Sequence, residues 1–350
     1  MASMLRKSVA LLPLTLLAAC APEGLSFMAP AGPVAAAERA HLFTVTLISL
    51  VVVAPVLLGA PWIAWRYRRQ RRQRGDYAPD WAFSRPLEWV MWGVPVVVVF
   101  VLGWQLARAT MVLDPYRRID PAIAPLRVDA IALDWKWLFV YPDLGIASLN
   151  ELAVPVGRPV AIRLTSDTVM QSFFIGALGS QIYAMPGMQT RLHLLASRAG
   201  RFEGENTQYN GLGFQEQKFD AHAMPPEAFD AWVMRVRAAG GPLNAVSYGA
   251  LGSATTPAQA AARLAAPGVP KGVAWFAPVT PGLFDAVMRR YMSGQALPVI
   301  AQPGSPSYRA DAASAVLMLP DAGSAAVPMH PQRMPAERTM PEMPVTNGVQ

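Results

Sequence analysis

The chain has 350 residues, 53% hydrophobic and 15% charged, with a formal charge of +7 and a mean hydropathy of +0.26. That balance is too apolar for an ordinary soluble domain and too polar for a chain of many spans, so a few membrane helices joined to a globular part are expected. The basic excess does not mark a nucleic-acid binder, because the arginines gather in one short segment without a nucleic-acid motif, and a single cysteine excludes an internal disulfide or a two-thiolate site.

That cysteine, Cys20, ends the run Leu17-Ala18-Ala19-Cys20. Arg6 and Lys7 precede an apolar stretch too short to span a bilayer, which is the layout of a secretory signal. A cysteine at its end makes residues 1–19 a lipoprotein signal peptide and Cys20 the acylated residue, held on the membrane by two or more chains. Residues 20–41 then form an exported linker.

Residues 42–65 carry no charge and are long enough to cross a bilayer. A second span covers about 87–106, with Trp89, Trp92 and Trp104 near its ends, where indoles favour the membrane interface. Pro55, Pro61 and Pro95 lie inside these runs and are tolerated in membrane helices. Together the spans make a transmembrane hairpin over 42–110. Its connecting loop, 66–86, holds Arg66, Arg68, Arg69, Arg71, Arg72, Arg74 and Arg85 against Asp76 and Asp80, and the positive-inside rule makes it cytoplasmic. Both hairpin ends then face the exported side, in agreement with an acylated Cys20.

Short runs with partial alternation follow at 127–133, 134–141, 160–165, 190–195 and 218–223, separated by Pro and Gly turns, and predict a β-sandwich or barrel over 111–225. After Pro225-Pro226 the period changes to that of helices. Phe229, Trp232, Val233 and Val236 mark one; Thr256-Pro257 and Thr280-Pro281 open two more, so 226–301 reads as a helical appendix. Residues 302–350 are rich in Ala, Pro, Ser and Met without a period, which predicts a disordered tail. Its Met329, His330, Met334, Met340 and Met343 are soft donors without regular spacing, read as solvated rather than copper-binding.

Three stretches carry a resemblance. Asp134-Trp135-Lys136-Trp137 followed by LFVYP, the pair 169–174 and 179–188, and the segment RFEGENTQYNGLGFQEQKF at 201–219 resemble subunit II of the haem-copper respiratory oxidases, in the form found in ubiquinol oxidases of the cytochrome bo type. The resemblance implies a membrane-anchored α+β protein: a two-helix transmembrane hairpin, then a periplasmic cupredoxin-like β-sandwich with a C-terminal helical appendix. It also aligns copper-ligand positions of the cytochrome c oxidases with residues of another chemistry. Gln171 and Phe214 stand where those carry histidines, Asn206 and Asn210 where they carry cysteines, Gln208 in place of the Glu and Gln217 in place of the Met. Bridged copper needs soft, deprotonated sulfur, which neutral amides and a phenyl ring do not supply. His193 and His222 lack ligand spacing and are read as surface or strand residues.

The resemblance therefore implies a subunit without a metal or redox cofactor, in a complex whose large subunit I holds haem and copper and oxidises ubiquinol. Other oxidase subunits and membrane lipids would be its further partners. Trp135 and Trp137 are expected to serve as packing residues. Glu88 begins the second span at its cytoplasmic end, where the resemblance implies a carboxylate at the mouth of a proton-uptake path; an acidic residue favoured by the helix dipole is the plainer reading. Two alternatives stay open: subunit II of a cytochrome c oxidase with a degenerate copper site, and a stand-alone lipoprotein or assembly factor.

Overall fold

The computed structural model describes residues 28–67, 83–292 and 296–317. The signal peptide, Cys20, most of the arginine-rich loop and the methionines of the tail lie outside the described residues.

Two long helices come first, α1 at Pro33–Arg66 and α2 at Arg85–Val112, each with a proline in its first turn. A proline there loses no hydrogen bond, because the first N–H groups of a helix have no intrahelical acceptor. Helix α1 starts well ahead of the apolar run at Leu42, so the helix reaches back into the stretch read as a linker. The two helices pack on each other, and both are long and apolar enough to cross a membrane. Ala35 is the only buried residue of α1 and α2 has none, so their Leu, Val, Phe and Trp side chains face outward. Water would not tolerate such a surface; hydrocarbon does.

The entry into α1 is fastened to the domain that follows. The Ala31 N–H donates to the Ala177 carbonyl (2.7 Å) and the Ser197 N–H donates to the Ala31 carbonyl (2.8 Å). Gly32 is required here, since a Cβ on it would lie 2.2 Å from the Leu195 oxygen.

Twelve strands build the large domain: β1 Leu126–Leu133, β2 Lys136–Tyr141, β3 Ile146–Leu149, β4 Glu151–Pro155, β5 Val160–Ser166, β6 Gln171–Ile175, β7 Gly179–Ala184, β8 Thr190–Leu194, β9 Gly200–Glu205, β10 Lys218–Met224, β11 Gly241–Leu243 and β12 Ala274–Val279. They form a seven-stranded sheet, ordered β11-β12-β3-β2-β1-β5-β8, and a five-stranded sheet, β4-β10-β9-β6-β7. Between the sheets lies an aromatic core of Trp137, Phe139, Phe173 and Phe219, with Trp137 edge-on to Phe173 at 5.3 Å and Phe173 stacked on Phe219 at 5.2 Å. Such pairs add about 0.5–1.5 kcal/mol each beyond the area they bury.

The C-terminal part holds the expected helices and adds strands to them. Its helices α3 (Pro226–Ala239), α5 (Pro257–Leu264) and α6 (Leu283–Met292) agree with the helical periods, and α4 (Ala245–Leu251) is an addition capped by the Asn244 side chain on the Val246 and Ser247 N–H groups. Its strands β11 and β12, however, extend the large sheet, with β12 antiparallel to β3 in the register Ala274↔Leu149. The helices cover that sheet's outer face and enclose a second core of Ile131, Leu133, Leu138, Val140, Tyr248, Leu251, Phe284 and Val287. Every residue of β2 is buried as a result. Trp137, Phe139 and Tyr141 point into the sandwich while Leu138 and Val140 point to the helices, which is why alternation in this strand is weak.

Nor does order stop at residue 302. Helix α7 occupies Ala310–Val316, Ala313 and Leu317 are buried, and the Tyr308 hydroxyl donates to the Gly249 carbonyl at 2.6 Å. Small residues permit this close packing against α4, so the Ala-rich composition read as disorder is here a contact surface.

Candidate functional site

At one end of the sandwich three segments meet: the β1–β2 turn at Asp134 and Trp135, the start of β6 at Gln171, and the loop 206–217 between β9 and β10. Gln217 is fully buried at the centre. Its Oε1 accepts from Asn206 Nδ2 at 3.0 Å and from Asn210 Nδ2 at 2.6 Å. Its Nε2 donates to Gln171 Oε1 and to the Leu133 carbonyl, the latter at 3.4 Å. Gln171, also fully buried, donates from Nε2 to the same carbonyl at 3.2 Å and to the Thr168 hydroxyl at 2.9 Å. Asn206 holds the loop's shape: its Oδ1 accepts from the N–H groups of Ser172 (2.9 Å) and Gln208 (3.0 Å), while its Nδ2 donates to the Gln208 carbonyl at 2.7 Å. A bond between the Ser172 and Thr207 hydroxyls closes the loop on β6.

Four of the six residues aligned with copper-ligand positions thus form one amide network. The other two do not enter it by their side chains. Gln208 takes part through its backbone, and Phe214 sits half-buried in a short 3-10 turn, Phe214–Glu216, with its ring 5.6 Å from that of Tyr209. The Leu133 carbonyl, Thr168, Ser172 and Thr207 complete the cluster and were not marked by sequence reasoning. Leu133 acts through its backbone, which no side-chain pattern reveals, and short hydroxyl residues are too common in loops to stand out.

The two motif tryptophans separate. Trp137 is fully buried in the aromatic core. Trp135 sits in the turn with φ 62°, half-buried, and its indole N–H donates to the Asn210 carbonyl at 3.3 Å. Its ring lies flat on Gly213, where a Cβ would come within 2.2 Å of the ring. Between them Lys136 is fully buried, its ammonium donating to the carbonyls of Asp134 (2.9 Å), Ser253 (2.8 Å) and Thr255 (3.4 Å). Burial pulls its pKa down to about 8, against the attraction of Asp134. Burial raises the Asp134 carboxyl, against its bond from Thr168 and the Lys136 charge.

The remaining sequence-marked residues lie elsewhere. His193, on β8, holds the Pro115 carbonyl with its N–H (3.2 Å) and Nδ1 (3.1 Å), and His222, on β10, lies 4.0 Å from Glu151. Glu88 is exposed in the first turn of α2, its N–H bonded to the Ser84 carbonyl at 3.0 Å.

Copper is what the fold family's other branch would place in the loop, and the residues present do not fit it. The four amide side chains are bonded to one another and to neighbouring backbone, with Asn210 Oδ1 left unpaired, all are neutral, and no thiolate or imidazole belongs to the network. Among the described residues no group of three His, Cys, Asp or Glu side chains could hold a metal ion.

Comparison with known proteins finds relatives of this chain. No family model matches the chain. It is 40% identical over 285 residues to the cytochrome bo(3) ubiquinol oxidase subunit 2 of Pseudomonas aeruginosa, covering 81% of both chains. It is 40% identical over 284 residues to the ubiquinol oxidase subunit 2 of Acetobacter aceti, covering 81% of this chain and 87% of that one. Among solved structures, the periplasmic domain of subunit II of cytochrome oxidase from Bradyrhizobium japonicum is 25% identical, matching 32% of this chain and 93% of its own with a TM-score of 0.31. On the extent of the first two matches, this inner-membrane chain belongs to the subunit II family of the haem-copper ubiquinol oxidases.

Proposed function

We propose that the chain is the non-redox subunit II of a proton-translocating oxidase that passes electrons from ubiquinol to oxygen. Its task is to hold the large subunit in place, while haem, copper and the quinol site belong to that partner. The observation that carries this reading is the amide network. A domain that receives electrons through copper presents soft, deprotonated ligands, whereas here Gln171, Asn206, Asn210 and Gln217 are neutral amides hydrogen-bonded to one another. With no route for electrons through the domain, the donor must reach the partner from within the membrane, as a quinol does. The same reading places the sandwich in the periplasm and acyl chains on Cys20.

Purification in mild detergent tests it. The chain should co-purify with a haem-bearing multi-span subunit, and the complex should oxidise ubiquinol but not reduced cytochrome c. Oxidation of cytochrome c would favour the degenerate-copper alternative, and a haem-free monomer would favour the stand-alone lipoprotein.

Within this proposal Glu88 feeds protons to the partner. It stands exposed where α2 enters the membrane, before the charge-free run 89–107. A carboxylate there exchanges protons with water while facing an apolar wall. Glu88→Gln should slow turnover and proton uptake severalfold in an intact complex; unchanged turnover and uptake would leave Glu88 as a helix-end charge only.

A further inference from the structure

The exported ends of the membrane helices carry arginines on the side opposite the arginine-rich loop, against the usual bias. Residues 89–107 of α2 have no charge and span about 28 Å, close to a hydrocarbon core of about 30 Å. Glu88 therefore marks one rim of the core and Arg108 the other. Arg117 and Arg118 follow just beyond the helix end, in a linker pinned to β8 by the His193 bonds to Pro115. All three arginines are exposed, and none forms an ion pair among the described residues. The nearby carboxylates are turned to the backbone: Asp114 accepts from the Tyr116 N–H and Asp120 from the Ala122 N–H, each at 2.9 Å.

Directly below Arg108 lies an exposed apolar surface. Phe100, Trp104 and Arg108 are spaced four apart, which aligns them on one face of α2. Phe100, Val101 and Trp104 border a shallow, open hollow on that face. The face thus presents, from the rim inward, cations, an indole at interface depth, and an apolar surface. A molecule that matches all three has an anionic head and an alkyl chain.

We propose that this face of α2, with Arg117 and Arg118, binds an anionic phospholipid in the membrane leaflet beneath the sandwich. The phosphodiester meets the arginines, the glycerol region lies against Trp104, and one acyl chain lies along the exposed Phe100 and Val101. The inference rests on the two-span reading and is independent of the oxidase assignment.

The test uses the full-length chain, alone and within its complex, released into a mass spectrometer from nanodiscs of phosphatidylcholine mixed with phosphatidylglycerol. Wild type should retain phosphatidylglycerol in preference to phosphatidylcholine. Arg108→Gln should lower that preference about fivefold, and the linker double variant Arg117→Gln/Arg118→Gln, which cannot unfold the span, by at least as much. Trp104→Ala should reduce retention of both lipids and keep the preference. Equal retention of the two lipids by wild type overturns the proposal, as does an unchanged preference in both arginine variants. A preference seen in the isolated chain but lost in the complex also overturns it, because a partner subunit then covers the face.

Discussion

Replacing Gln217 by leucine is the sharpest test of the amide network, because volume is nearly kept while four hydrogen bonds vanish. Two of the four partners have other bonds: Asn206 Nδ2 keeps the Gln208 carbonyl, and the Leu133 carbonyl keeps Gln171. The other two do not. Asn210 Nδ2 and Gln171 Oε1 lose the hydrogen bonds described for them, and Gln171 is fully buried. An orphaned buried polar group costs about 1–3 kcal/mol. With Asn210 only half-buried, the sum comes to about 3 kcal/mol, or roughly 150-fold in the opening equilibrium of this end of the sandwich. Hydrogen exchange of the backbone amides in 206–217 and at the start of β6, measured in the intact complex, reads this directly. Gln208→Leu is the matched control, since the Gln208 side chain makes none of these bonds, and should change exchange by less than about threefold. Equal protection in the two variants would refute the reasoning, for the network would then be a coincidence of packing and not what fixes the loop.

Lys136 makes a prediction about pH. Its folded pKa of about 8 lies below its ordinary 10.5, so between those values the unfolded chain holds a proton that the folded chain has released. Stability must therefore rise with pH across that window, by about 3 kcal/mol from this group, and denaturant unfolding of the full chain in detergent at pH 8 and 10.5 should show the rise. Lys136→Met should remove it; a slope that survives the substitution assigns the effect to another group. Gly213→Ala puts a methyl group into the Trp135 ring and should displace the indole from the Asn210 carbonyl. A shift in tryptophan fluorescence and a loss of about 1–3 kcal/mol are expected, and an unchanged spectrum would show that the ring has other means of support.

Much of this was legible because membrane spans and caps are local signals. The charge-free runs of α1 and α2, and the Thr256-Pro257 start of α5, follow from length and from the first-turn preferences of proline and its cap. The copper-ligand positions were legible only as aligned positions. That four of them touch depends on the β1–β2 turn, β6 and β10 converging, which long-range pairing decides. What failed to show was the role of the C-terminal part. The first half of strand β12, Ala274 to Phe276, is buried where it pairs with β3 more than a hundred residues earlier, and no local period announces such a partner. The same holds for α7, whose small apolar residues look like a loose tail until Gly249 and Tyr308 supply a surface.

The network also ties the segments at this end of the sandwich together by hydrogen bonds. Copper bound at these positions would cross-link β6 to the loop that precedes β10, and binding of that kind adds directly to folding free energy. Here amide hydrogen bonds join the same segments. Apolar residues in their place would strand the Leu133 carbonyl, which accepts from Gln171 and Gln217 at the end of β1. Amides are the side chains that both donate and accept, so Gln171, Asn206, Asn210 and Gln217 can bridge the same segments and still satisfy that carbonyl. The opposite side of the β1–β2 turn is secured separately: Lys136 ties it to Ser253 and Thr255 of the C-terminal part. A turn held from both sides fixes Trp135 over the loop, so this end of the sandwich is tied together by the loop on one side and the C-terminal part on the other.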